Sequence, residues 1–164
     1  MTKLTHIFAI AAVLMAPSMI ASPALAQAAT TNQAAPRDLV TEEANRKLVV
    51  NFYDQFFNAH ETAQAAQVIA DDYIQHNPDV PDGKAPFLEF FTGFFKENPQ
   101  SRARIVRSAT DGDSVYLHIH STNGPDDRGQ AVVDIFRVSG GKIVEHWDVI
   151  QNVPEPTANT NTMF

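Results

Sequence analysis

No cysteine occurs among the 164 residues, which excludes disulfide staples, thiol nucleophiles and thiolate metal sites and leaves burial to supply stability. Basic residues are scarce as well: 12 Lys and Arg stand against 19 Asp and Glu, a formal charge of −7. With no basic stripe, such a surface disfavours nucleic acid and anionic membranes, and neither is expected as a partner. The Gly-x-Ser-x-Gly elbow is missing, and with it the serine hydrolase chemistry built on that strained turn. Long apolar runs are missing too. The stretch over residues 7–20 is broken by Pro17 and followed by Ser22 and Pro23, short of the roughly 20 residues that a membrane span needs.

That stretch has instead the form of an export signal. Lys3 supplies the positive start, and Ala24-Leu25-Ala26 forms a small-residue cleavage site before Gln27. The expected organisation is a signal over residues 1–26, a flexible linker over 27–40 rich in Ala, Thr, Gln and Asn, one domain over 41–151, and a tail over 152–164. The expected destination is the periplasm or the medium, with no membrane association after cleavage.

What the chain has is aromatic surface to bury, including eleven Phe. Thr41, followed by Glu42 and Glu43, predicts a helix start, and Leu48, Val49, Phe52, Tyr53, Phe56 and Phe57 recur at helical spacing to about Asn58. A second, Ala-rich helix is expected from Thr62 to about Ala70, then an extended segment over 72–77 stopped by Pro78. The third helix, over 85–97, has Pro86 in its first turn and places Phe87, Phe90, Phe91, Phe94 and Phe95 on one broad face. From Arg102 onward the pattern alternates, with turns at 111–113, around Asn123-Gly124-Pro125 and at Ser139-Gly140-Gly141. Helices first and a strand meander afterwards predict an α+β domain, its three helices packed on one face of a curved sheet around a cone-like pocket.

The strands DSVYLHIHS, QAVVDIFRV and GKIVEHWDVIQ carry the chemistry. Tyr116, His118 and His120 share one face of the first, and Val132, Asp134 and Phe136 share one face of the second. Histidines and a carboxyl framed by Val133 and Ile135 suit a lined pocket better than a solvated face, so His120 and Asp134 are expected to converge. In the third strand Glu145, Trp147 and Val149 share one face, and His146 and Asp148 the other. At the end of the extended segment, adjacent His76 and Asn77 point to opposite sides, so one of them faces inward. Asp134 could instead be an ion-pair partner of Arg104, Arg107 or Arg137.

Taken together, the strings VVNFYDQFFN, DDYIQHNPDVPDG, DGDSVYLHIH, AVVDIFR and GKIVEHWDVIQ resemble the SnoaL-like polyketide cyclases of the nuclear transport factor 2-like superfamily, over about residues 41–151. The resemblance implies a cone with a mixed or antiparallel sheet, homodimers through the outer sheet face, and acid/base chemistry without a cofactor or metal. His120 and Asp134 match the places of the cyclases' His and Asp, which run an aldol closure. Ketosteroid isomerase, a relative and a standard case of a carboxylic acid kept protonated, would have its oxyanion Tyr at Tyr53 and its protonated Asp at Asp134. Its base position carries Asn77, and an amide cannot take and return a proton.

The expected function is therefore an exported, cofactor-independent enzyme for aldol-type cyclisation or isomerisation of a small carbonyl compound. His120 and Asp134 are the expected catalytic pair, and Tyr53, His76, Asn77, Phe91, His118 and Trp147 the substrate contacts. The alternative is a non-catalytic pocket for a small apolar ligand. A lesser one is a metal set drawn from His118, His120, Asp134 and His146.

Overall fold

The computed structural model describes residues 36–164. The expected signal and the linker up to Ala35 lie outside the described residues. Helix α1 (Leu39–Tyr53) starts earlier than Thr41. Asp38 is its cap, accepting from the backbone N–H groups of Val40 at 3.2 Å and Thr41 at 3.1 Å, because a carboxylate both satisfies orphan donors and opposes the helix dipole. The last residues assigned to the linker therefore belong to the domain. One π-helical turn, Asp54–Asn58, extends α1. There the Asn58 side chain acts as a surrogate strand: its Oδ1 accepts from the Ala103 N–H at 2.8 Å and its Nδ2 donates to the Ala103 carbonyl at 3.2 Å.

Helix α2 spans only Thr62–Ala65, followed by a 3-10 turn and by strand β1 (Ile69–Gln75). The Ala-rich helix expected to reach Ala70 is thus cut short. Ile69 and Tyr73, each 2% exposed, are buried from the strand, and pairing of Ile69 with Ile143 overrides local helix propensity. Helix α3 (Lys84–Glu97) follows, then the meander β2 (Arg102–Asp111), β3 (Ser114–Thr122), β4 (Gln130–Ser139) and β5 (Lys142–Asn152). The sheet order is β1-β5-β4-β3-β2, with β1 parallel to β5 and the other pairs antiparallel. This is the mixed, curved-sheet α+β architecture expected from the sequence.

Register decides which residues reach the interior. Val115, Leu117 and Ile119 of β3 are buried, as are Val132, Asp134, Phe136 and Val138 of β4. They face α1, its π turn and α3; Phe56 of the π turn and Phe87 of α3 stack at 4.9 Å. The β3–β4 connection closes at Gly129, where φ is +74° and a Cβ would lie 2.0 Å from the Ser121 carbonyl oxygen. Only glycine fits there, and from that turn Leu117 pairs with Asp134 and His120 with Ala131.

Candidate active site

Between the inner sheet face and α3 lies a cavity of about 380 Å³. Phe57 and the α3 phenylalanines, Phe91 among them, line it together with a cluster of polar side chains from α1, β1, β4 and β5. Tyr53 comes from the last turn of α1, just before the π turn, and its hydroxyl donates to Asp134 Oδ2 at 2.7 Å. The other oxygen, Oδ1, lies 3.1 Å from His146 Nε2. Both partners are buried, with Asp134 5% and His146 7% exposed.

Gln75 fixes the proton count. Its amide nitrogen donates to the Tyr73 hydroxyl at 3.3 Å, so its Oε1 faces the Asn77 N–H at 3.0 Å and His146 Nδ1 at 2.9 Å. An amide oxygen only accepts, hence Nδ1 carries hydrogen. A hydrogen bond between Nε2 and Oδ1 then needs one proton between them. The imidazole is held in place by Phe136, 4.7 Å away between ring centroids.

Burial, together with the charge of Asp134 and the hydrogen bond to it, pushes the Tyr53 hydroxyl well above the ordinary tyrosine range. Tyr53 is therefore a permanent donor. Burial and the charges of Asp134 and Asp148 likewise raise Tyr73. Asp148, the cross-strand partner of Asp134, faces the same cavity, and both of its oxygens accept from Asn77 Nδ2, at 3.0 and 2.8 Å. Asp134, His146 and Asp148 each bring a ligand-type atom within 4.8 Å of the others. His146 could join such a cation site only by giving up its Nε2 contact with Asp134.

Of the residues expected at the site, Tyr53, Asn77, Phe91 and Asp134 line the cavity. His120, His118, His76 and Trp147 do not. His120 is on the opposite sheet face, bonded through Nε2 to the Arg128 carbonyl at 2.9 Å and stacked on Phe164 at 4.0 Å. His118 accepts from Arg107 at 2.6 Å. His76 contacts Glu145 at 2.8 Å and stacks on Trp147 at 4.4 Å. The expected convergence of His120 with Asp134 is thus corrected: directly opposed residues of an antiparallel pair share a face, and His120 is opposed to Ala131. The same register splits the metal set, leaving His118 and His120 on one face and Asp134 and His146 on the other. Nor does Asp134 pair with an arginine; Arg137 goes to Glu145 at 2.6 Å.

His146, which the sequence offers only as a metal ligand, and Asp148 and Gln75, which it offers in no site role, complete the site. The signal for the first two was present in the alternation of Val115, Leu117 and Ile119, which marks the inner face of β3 and puts Tyr116, His118 and His120 outside. Gln75 carries no such signal.

A family model for the SnoaL-like domain matches residues 49–146. No curated protein matches the chain. Among solved structures, a protein provisionally named a ketosteroid isomerase from Kribbella flavida DSM 17836 superposes with a TM-score of 0.59 at 22% identity, covering 72% of this chain and 85% of that one. A SnoaL-like protein of unknown function from Burkholderia thailandensis E264 also gives 0.59, at 14% identity over 69% of this chain and 98% of that one. A protein provisionally named a polyketide cyclase, from Bacillus cereus ATCC 10987, gives 0.56 at 22% identity over 65% and 74%. At such identities the likeness speaks for the fold, and chemistry has to be argued from the site.

Proposed function

The chain belongs to the SnoaL-like domain family, and from that premise we propose that it is an isomerase- or cyclase-type enzyme that enolises a small carbonyl compound in the phenylalanine-walled cavity. The observation that carries this reading is the buried Tyr53–Asp134–His146 chain, in which Asp134 is hydrogen-bonded to the imidazole at 3.1 Å and to the tyrosine hydroxyl at 2.7 Å. In the ionised form of the pair, an Asp134 oxygen accepts the proton α to the carbonyl. The C–H electron pair becomes the enolate double bond, and the carbonyl π pair moves to oxygen beside the imidazolium of His146. Return of the proton to another carbon isomerises the substrate; attack of the enolate carbon on a second carbonyl closes a ring, the π pair of that carbonyl moving to its oxygen, which then takes the proton held by Asp134. A positioned acid/base group of this kind contributes about 10²–10⁴ in rate.

His146 takes the part that the family resemblance assigned to His120. The proposal includes export through the N-terminal signal, as the sequence pattern suggests. The test is hydrogen exchange at the α-carbons of 2-tetralone in deuterated buffer, followed by NMR. Protein-dependent exchange that follows saturation by the ketone is the expected result. Its absence across a panel of cyclic ketones would overturn the enzyme reading and leave the cavity as a binding pocket.

A further inference from the structure

The charge lining the cavity is unbalanced. Its lining carries Asp79, Asp134 and Asp148 against Arg102 and His146; the guanidinium is spent on backbone carbonyls of Pro99 at 3.3 Å and Ser101 at 2.6 Å, and the imidazole on Asp134 at 3.1 Å. Asp134 has the His146 imidazole and the Tyr53 hydroxyl. Asp148 has only a neutral partner, the Asn77 amide. Among the described residues no lysine or arginine pairs with either carboxylate, although the two are directly opposed on β4 and β5 and lie, with His146, inside a 4.8 Å cluster. Asp148, half-buried at the cavity, is thus the carboxylate of the pair without a cationic or protonated partner.

The aromatic lining suits a cation. Phe57, Phe87, Phe91 and Phe95 line the same cavity, and aromatic faces attract an organic cation through their quadrupoles. A bare, strongly hydrated divalent ion would have no apolar body for those rings to enclose. A neutral ligand would leave Asp148 uncompensated beside it.

We infer that the cavity takes an organic ammonium, with Asp148 as its counter-ion and the phenylalanine wall around its apolar body. The inference rests on the enolising site proposed above and names its substrate class: a carbonyl compound bearing an amine a few bonds from the acidic C–H. The ammonium sits against Asp148 while the carbonyl is presented to Asp134 and His146. Asn77 orients the Asp148 carboxylate without neutralising it, and the net acidic charge of the chain, −7, steers cations toward the mouth.

The probe pair is 2-phenylethylammonium and 2-phenylethanol, alike in size and differing in charge, titrated calorimetrically into the purified protein at pH 7 and low salt. The ammonium should bind at least tenfold more tightly than the alcohol. Asp148→Asn should erase that preference while leaving the alcohol within about twofold, and Asp148→Glu should keep it, which controls for folding. Equal binding of the two probes would overturn the inference, as would a preference that survives in Asp148→Asn. Stoichiometric Mn²⁺ binding that the ammonium cannot displace would also overturn it. The ketone exchange assay separates the two proposals: exchange without ammonium preference removes only the substrate class, and ammonium preference without exchange of any ketone removes only the enolisation.

Discussion

Tyr53 ties stability to the site. Its hydroxyl is buried, bonded to Asp134 at 2.7 Å and held well above the ordinary tyrosine range; Tyr73, also raised, lies in the same cluster. A phenol whose folded pKa exceeds its unfolded value of about 10 stabilises the fold fully below that pH and less as pH rises toward the folded value. Unfolding free energy should therefore fall above about pH 10, by at most about 1.4 kcal/mol per pH unit for each of the two tyrosines. Urea unfolding between pH 9 and 11.5 measures this. Tyr53→Phe should remove one tyrosine's share of the slope, and an unchanged slope in that variant would contradict the assignment. The variant should also lose part of its stability at neutral pH, about 1–3 kcal/mol, because Asp134 Oδ2 is left without its donor.

At the scale of elements, the site depends on how α1 meets β2 and how β3 meets β4. Asn58, at the end of the π turn, exchanges two hydrogen bonds with the Ala103 backbone, and this holds Tyr53 over the sheet. Asn58→Ala leaves a backbone donor and acceptor unmatched; thermal denaturation should show a loss of about 1–3 kcal/mol. Much of this architecture was legible in the sequence. The periodicity from Leu48 to Phe57, the phenylalanine face of α3 and the punctuated strands after Arg102 each dictate their element, because burial enforces period. Facing within each strand was legible too: His146 and Asp148 were placed together, apart from Trp147. What alternation cannot fix is which faces of successive strands coincide, since that depends on the register across the β3–β4 loop, set where Gly129 meets Ser121. A wrong parity there carries every side chain of a strand to the other side, and so the outward His120 was placed beside the inward Asp134. The α2 helix failed for another reason, tertiary pairing of Ile69 with Ile143. The Gln75 clamp was out of reach because it depends on side-chain contacts between β1 and β5.

For the whole molecule, the sheet separates two surfaces of different character. The inner one is the acidic, aromatic cavity. The outer one carries His118, His120 and Phe164, with Tyr116, Val133 and Val149 exposed by 37%, 42% and 70%. Apolar exposure on the outer face of an antiparallel sheet suits a self-complementary contact, and light scattering at tens of micromolar should give twice the mass of one chain; a monomer would contradict this. The central claim is that the chemistry belongs to the inner surface, with His146 and not His120 as the partner of Asp134. The direct measurement is α-proton exchange of 2-tetralone by the parent protein, His146→Gln, Asp134→Asn and His120→Gln, with ketone affinity determined alongside. The account predicts a fall of at least 100-fold for His146→Gln and Asp134→Asn at nearly unchanged affinity, and a rate for His120→Gln within about twofold of the parent. Loss of exchange in His120→Gln, with His146→Gln still active, would contradict it.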